Sequence, residues 1–524
     1  MNKNNNTLLV RVCEIGVCCL ALCIFFFERE LLIYRDFSYI WHGALLVSEG
    51  YSPWKDFLMP VGPISIYFTG LFLMITEKSW FALQTFQLFM NFVSLILACL
   101  ILSKYEKDKN VIRAGLIVFT TFYLLFLTHP WYNNFGAFFL LLSILLANYH
   151  SRLLLGLAGI TVVIAFASKP DFGAMAFLCS SAIIFHQSPM GYRVIFYKKY
   201  LPFLLGVIGF FLFYIAQYDY EILKNSLDGM REMAGNRGNR ISRLLEPKYF
   251  LLIFLGLWVI IFPGRQLKHF FSYGLIILSA AITAMLGGIE YTHYYYVFVI
   301  PAILFFCYQN NLYKKHLYFI VPIVIVLAMP MLRFTTNTVE NTLFGHYESE
   351  YFDSRSISSD VDLIDLAKCS KSFKNIFGPR DVCEIFNILD RNVLKLNASK
   401  HPILNITELR SLDLLVLGIP PMKNHPLWYK TLLTSTPELD RELLRNMQSD
   451  LFSIILIQQV PLAYSSGEKR QEMIQQLQNN TAYYELPRVF KSPMCVKSKI
   501  RLDECGIKIY VNKSLSSGFE KSFN

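Results

Sequence analysis

Charged side chains are scarce in this sequence. Asp, Glu, Lys and Arg make up 17% of its 524 residues, against about 25% in an ordinary soluble domain. The deficit argues against a simple soluble enzyme, and the 54% hydrophobic content arrives in long runs of the kind a bilayer requires. Internal repeats and low-complexity tracts are missing as well. The hydrophilic C-terminal part has no Gly-rich phosphate loop, no HExxH and no CxxC pair, so the common nucleotide, zinc-protease and thiol-redox signatures are absent from it. No small-residue cleavage site precedes Phe25-Phe26-Phe27-Glu28. Residues Leu8 to Phe27 therefore read as a retained first membrane helix rather than a signal peptide.

What is present is a series of apolar segments. After Leu8–Phe27 come Trp80–Leu102, Val111–Leu127, Phe135–Tyr149, Leu153–Ser168, Phe172–Phe185, Tyr200–Tyr218, Phe250–Ile261, Phe271–Leu286, Tyr294–Tyr308 and Leu317–Met331. These make about eleven crossings, several of them shorter than the roughly 20 residues of an easy span and in need of bilayer thinning or flanking anchors. The formal charge of +11 would suit a nucleic-acid binder. Most of the basic residues, however, sit in short loops: Lys104, Lys107 and Lys109; Arg152; Arg193, Lys198 and Lys199; Arg265 and Lys268; Lys314 and Lys315. That is the positive-inside pattern, and no nucleic-acid partner is expected.

These loops alternate with HPWYNN at His129–Asn134, SKPD at Ser168–Asp171 and GGIEYTH at Gly287–His293. All the basic loops share the cytoplasmic side only if Val61–Ile75 does not cross. Its short length and Pro60 and Pro63 at its start predict an interfacial or re-entrant helix. The first outer loop (28–79), the three polar loops and the C-terminal part then share the outer face.

The reading is a polytopic α-helical membrane protein, with a transmembrane domain at 1–339 and a soluble C-terminal α/β domain at 340–524. Strand-like runs fall at Leu414–Leu417, Phe452–Ile457 and Ile507–Val511; helical patterns at Asp360–Lys368, Glu438–Met447 and Glu468–Leu477. Of the 11 cysteines, Cys369, Cys383, Cys495 and Cys505 lie in this domain. An even number allows two disulfides in an oxidising compartment, with sequence proximity favouring Cys369–Cys383 and Cys495–Cys505.

The polar residues at the outer face are the candidates for chemistry. Asp36 precedes a helix predicted from Phe37 to Glu49 and closed by Gly50. It is either that helix's N-cap or a base that removes a proton from an acceptor hydroxyl during glycosyl transfer with inversion. Asp56 follows Lys55 in a proline-bounded turn, as a surface ion pair or an orienting carboxylate. Lys169 stands in a tight turn before Pro170 and Asp171. There a lysine either snorkels or neutralises a leaving phosphate. His293 and Tyr294, beside Glu290, and His129, Tyr132 and Asn133 are interface anchors or parts of a substrate cavity, as is His42. The outer loop with Arg237 and Arg240 is a solvated loop or a mobile anion binder. Asp36, His42 and Glu290 could hold a divalent metal, though no ligand spacing demands one, and no other cofactor is implied.

Asp36, then Gly50-Tyr51-Ser52-Pro53-Trp54-Lys55-Asp56, then Pro60 and Pro63, with Lys169-Pro170 and His293-Tyr294 before Pro301, resembles the GT-C glycosyltransferases. The likeness is to bacterial relatives of protein O-mannosyltransferases and aminoarabinose transferases, and it covers roughly residues 8–310. The resemblance implies Asp36 as catalytic base, Asp56 beside it, and a polyprenyl-phosphate sugar donor bound from the outer leaflet with Lys169 and His293 near its phosphate. The family often has Asp-Glu where this chain has Asp36-Phe37, a departure that weakens a metal role. The expectation is an integral-membrane glycosyltransferase of a bacterial inner membrane, its site and C-terminal domain facing the periplasm, with a lipid, glycan or protein as acceptor. A transporter or flippase of lipid-linked glycans and a non-catalytic membrane assembly factor are the other readings. A transporter should carry polar or charged residues at mid-membrane depth or repeated halves.

Overall fold

A computed structural model of the protein describes residues 30–31, 37–53, 55–58, 62–105, several positions between 107 and 120, 132–149, 151–186, 196–218, 363–374, 376–392, 403–407, 425–426, 437–449, 451–459, 467–491 and 506–514. The described chain is mostly helical with a small amount of sheet. After a two-residue strand β1 (Glu30–Leu31), helix α1 runs from Phe37 to Ser48. Gly50 stops it with φ +94°. Gly50 N–H donates to Val47 O (2.9 Å) and Tyr51 N–H to Leu46 O (3.0 Å), the paired bonds of a Schellman cap.

Strand β2 (Phe57–Leu58) follows, then helix α2 (Ile64–Ile75) directly after Pro63. Twelve residues reach only about 18 Å, well short of the roughly 30 Å hydrocarbon core. α2 packs across α1 at Gly70, where a Cβ would stand 2.5 Å from Val47 Cγ1. Only a residue without a side chain lets the two helices approach so closely.

α3 (Trp80–Tyr105) has 26 residues and a mean hydropathy of 2.1 over its best window. It and the segment Tyr197–Ala216 are the two described helices long and apolar enough to cross a membrane. Between them lie three shorter apolar helices, α4 (Tyr132–Ala147), α5 (Arg152–Ser168) and α6 (Pro170–His186). The Tyr197–Ala216 segment consists of a π-turn ending at Tyr200 and helix α7 (Leu201–Ala216). α7 crosses α5 at small residues. A Cβ on Gly206 would lie 2.1 Å from Gly156 O, and one on Gly159 would lie 2.2 Å from Phe203 O. Close backbone approach at glycine is how apolar helices gain packing when the hydrophobic effect cannot distinguish them from lipid. Ser143 and Ser180 hydroxyls, 2.7 Å apart, join α4 to α6 in the same buried layer.

In the C-terminal part, β3 (Leu363–Asp365), β4 (Ile376–Pro379), α8 (Arg380–Asn392), β5 (Ile403–Ile406), β6 (His425–Pro426), α9 (Pro437–Gln448), β7 (Ile454–Gln458), α10 (Gly467–Asn479), β8 (Tyr483–Glu485) and β9 (Ile507–Asn512) are described. The main sheet has the order β5-β7-β9-β8, with β5 and β7 parallel and α9 between them in sequence. Ile455 and Ile457 of β7 join Leu443, Met447, Met473, Ile474 and Leu477 from α9 and α10. Ile454 and Leu456, on the opposite face, belong to a second cluster with Val382, Ile385 and Leu389 of α8. Strands covered on both faces read as unbroken apolar runs, which is why IILI shows no alternation.

Two small sheets tie the first loop to this region: β1 pairs in parallel with β4, and β2 with β6. Trp41 of α1 meets the Phe373 ring edge-on at 6.1 Å, and Lys374 Nζ lies 4.1 Å from the centroid of the Phe81 ring on α3. Cys369 and Cys383 are bridged, with Cα atoms 5.4 Å apart; Cys495 and Cys505 lie outside the described residues. One expected element is corrected. Asp360–Lys368 holds no α-helix in its described residues: 363–365 form β3, paired antiparallel with β4, and 366–368 a 3-10 turn. Asp365 stops the strand by accepting Ala367 N–H at 3.0 Å. Leu414–Leu417 is outside the described residues.

Candidate functional site

Lys169 is the whole connection between α5 and α6. Its N–H donates to Ala165 O (2.8 Å), ending one helix, and its carbonyl accepts from Gly173 (3.2 Å), starting the next. Pro170, which lacks an N–H and has its φ preset, suits the first helical position. The side chain is only 12% exposed, so it does not snorkel freely into solvent. Nζ lies 3.8 Å from Asp171 Oδ2 and over two rings, 5.4 Å from the centroid of Tyr132 and 5.7 Å from that of Phe172. An ammonium group held against aromatic faces keeps a positive field in a partly dry setting.

Tyr132 and Asn133 open α4 and are buried. The neighbouring Asn134 donates to Asn91 Oδ1 of α3 (3.4 Å), and Gln87 Nε2 donates to the same oxygen at 2.6 Å. Asn133 differs: it is fully buried, and neither Oδ1 nor Nδ2 has a hydrogen-bond partner among the described residues. One turn further on, Gly136 is pressed against Phe172, whose Cδ2 would be 2.8 Å from an added Cβ. Asn133 thus lies one turn before Gly136 on α4, which meets the start of α6 at Phe172, one of the two rings under the Lys169 ammonium.

The first loop reaches the same place. A Cβ on Gly62 would fall 1.6 Å from Ala167 O, so the entry to α2 lies directly on the last turn of α5. Asp56 closes the preceding turn: its Oδ2 accepts Ser52 N–H at 2.7 Å and its own N–H donates to Ser52 O at 2.9 Å. Tyr67 interacts with Ser52 and with Tyr218, whose ring meets that of Tyr214 edge-on at 5.4 Å. Burial, reinforced by the charges of Glu49 and Asp56, pushes the Tyr51 hydroxyl above its usual range, which keeps it a proton-bearing group near this turn.

Lys169, Tyr132 and Asp171 are therefore brought together; Asn133 follows Tyr132 on α4, and Asp56 closes a turn of the loop that leads to Gly62. His42 is buried within α1. Asp36, His129, Arg237, Arg240, Glu290, His293 and Tyr294 lie outside the described residues. Sequence reasoning missed Tyr67, Tyr214 and Tyr218; their one signal was tyrosine in an otherwise apolar segment, the same signal that interface anchors give. Among the described residues no group of three or more His, Cys, Asp and Glu side chains could hold a metal ion.

The opposite ends of the helices are built differently. Lys104 Nζ stands 4.2 Å over the Tyr149 ring, and the Tyr105 hydroxyl donates to Asn148 Oδ1 at 2.8 Å. These residues cap the far side of α3 and α4, next to Arg152. The polar groups of the candidate site and the basic loop residues thus occupy opposite ends of α4 and α5. No family model matches the chain, and no curated protein is similar to it.

Proposed function

We propose that the protein is an integral-membrane glycosyltransferase that moves a sugar from a polyprenyl-phosphate donor to a lipid, glycan or protein acceptor on the outer face of a bacterial inner membrane. The observation that carries this reading is Lys169, held against two aromatic rings in a turn that the first loop touches through Gly62. A cation in that position suits a phosphate leaving group. Asp36, just before α1, takes the proton from the acceptor hydroxyl as that oxygen bonds to the sugar's anomeric carbon and the bond to the phosphate oxygen breaks. Lys169 meets the charge that develops on the phosphate. About eleven crossings, and a C-terminal domain on the periplasmic side, belong to the same proposal. The Cys369–Cys383 disulfide supports that side, since such bridges persist in oxidising compartments.

The test is sugar transfer by purified protein and the cell-envelope glycan profile by mass spectrometry. Asp36→Asn is expected to abolish transfer while protein levels in the membrane stay normal. Lys169→Ala is expected to weaken donor use more than acceptor use. Undiminished transfer by Asp36→Asn removes the mechanism.

A second reading draws on one observation. Gln84, Gln87, Asn91 and Ser94 form a buried polar row along α3, a feature more at home in a flippase for lipid-linked glycans than in an enzyme confined to the surface. Movement of a fluorescent lipid-linked sugar across proteoliposomes without any acceptor would favour it.

A further inference from the structure

We infer that Asn133 recognises a hydroxyl group of the donor's sugar, making it a specificity-determining residue of the Lys169 site; this rests on the glycosyltransferase reading. Asn133 is fully buried, yet both polar atoms of its amide lack a hydrogen-bond partner among the described residues. Buried amides in folded proteins are almost always paired, and one left open asks for an account of what pairs it. Asn134, next in sequence and equally enclosed, at least donates its amide N–H to Asn91, although its own Oδ1 accepts nothing among the described residues. Of the two, only Asn133 has both sides of its amide open, on the face of α4 that meets the start of α6.

That face meets Phe172, whose ring lies under the Lys169 ammonium. Lys169 lies over the rings of Tyr132, the residue before Asn133, and of Phe172, which packs on Gly136 one turn along. The two groups ask for different chemistry. An ammonium only donates and is matched by phosphate oxygens, which only accept. An open amide offers one donor side and one acceptor side, and a sugar hydroxyl, which both gives and takes a hydrogen bond, satisfies it. A phosphate with a sugar attached presents both partners a few bonds apart. A site built to pair a substrate hydroxyl rejects analogues lacking it strongly, because the buried polar group is then left open.

The experiment uses the full-length protein in lipid nanodiscs. Binding is measured for undecaprenyl phosphate alone and for undecaprenyl phosphate carrying glucose, mannose, galactose or aminoarabinose, together with the thermal midpoint of each variant. Wild type should prefer one sugar-bearing carrier over the bare one. Asn133→Leu, of similar size without the amide, should bind the bare carrier within about twofold of wild type. It should lose about tenfold or more of the sugar preference, with a midpoint equal to or above that of wild type. Lys169→Ala should instead weaken every carrier, bare or loaded. A lower midpoint in Asn133→Leu with sugar preference intact overturns the inference and makes the amide structural. So does a wild type that binds all carriers equally. A wild type that binds no carrier overturns the glycosyltransferase reading itself, and this inference with it.

Discussion

At the scale of single residues, the surroundings decide between roles that the residue type leaves open. Lys169 in sequence is an interfacial lysine like any other, but enclosure to 12% exposure and two aromatic rings make it a fixed positive charge. Gly62 is the residue on which the loop's position depends. A methyl group there would collide with a backbone carbonyl, Ala167 O, which has no rotamer to escape by. Gly62→Ala is expected to cost about 1–3 kcal/mol and, under the proposed glycosyltransferase function, to reduce transfer by displacing the first loop from the Lys169 turn. Thermal melts and activity of the detergent-solubilised variant check this; an unchanged midpoint would show that the loop relaxes freely. Asn133 carries the opposite expectation, since filling its place with an apolar side chain removes an unpaired buried amide that costs about 1–3 kcal/mol.

At the scale of elements, short hydrogen-bonded units set where chains stop and turn. α1 ends through Gly50 at φ +94°, a conformation that costs an L residue about 1–2 kcal/mol. Gly50→Ala should therefore destabilise the protein by about that amount, and unchanged stability would mean that the cap is dispensable. In the C-terminal sheet, Glu485 bonds Lys508 at 2.7 Å and accepts from the Tyr510 hydroxyl at 2.7 Å. Burial works to raise its pKa, but the bonds to Lys508 and Tyr510 and the Lys508 charge outweigh it, so the carboxyl is held below its usual range. A carboxyl more acidic in the folded than the unfolded chain adds stability above its ordinary value and loses it as pH falls through the lowered one. Glu485→Gln should thus be less stable than wild type near about pH 7, with the gap closing toward about pH 3. Melts at both values decide it, and a gap that does not change with pH would assign the loss to packing rather than charge.

At the scale of the whole molecule, the first loop and the C-terminal part form one folded unit despite more than 300 intervening residues. β1 and β2 have two residues each; β4 and β6 pair with them, and within the first loop Phe57 has only an isolated bridge to Pro53 among the described residues. Trp41, almost fully buried, links Trp80 at 5.4 Å to Phe373 at 6.1 Å. The Cys369–Cys383 bridge holds the turn bearing Phe373 and Lys374 to α8. Trp41→Ala is expected to cost about 3–5 kcal/mol. Limited proteolysis should then cut the first loop and release the C-terminal region; protection equal to wild type would show that the strands alone hold the seam. The same contacts pack the C-terminal region on α1, the helix that Asp36 precedes in sequence.

The sequence by itself determined the local features: the apolar runs, the helix closed by Gly50, an α2 too short to span, the tight Lys169-Pro170 turn, and helices near Glu438–Met447 and Glu468–Leu477. Each depends on bonds or periodicities within a few residues, so the chain carries the instruction in place. Only the tertiary structure decided that residues 363–365 pair as a strand, that two-residue stretches of the first loop become sheet, and that both atoms of the Asn133 amide are buried open while Asn134 keeps its bond to Asn91. Those outcomes turn on partners far away in sequence, whose hydrogen bonds and packing override local preference and leave no periodic trace in the residues they act upon.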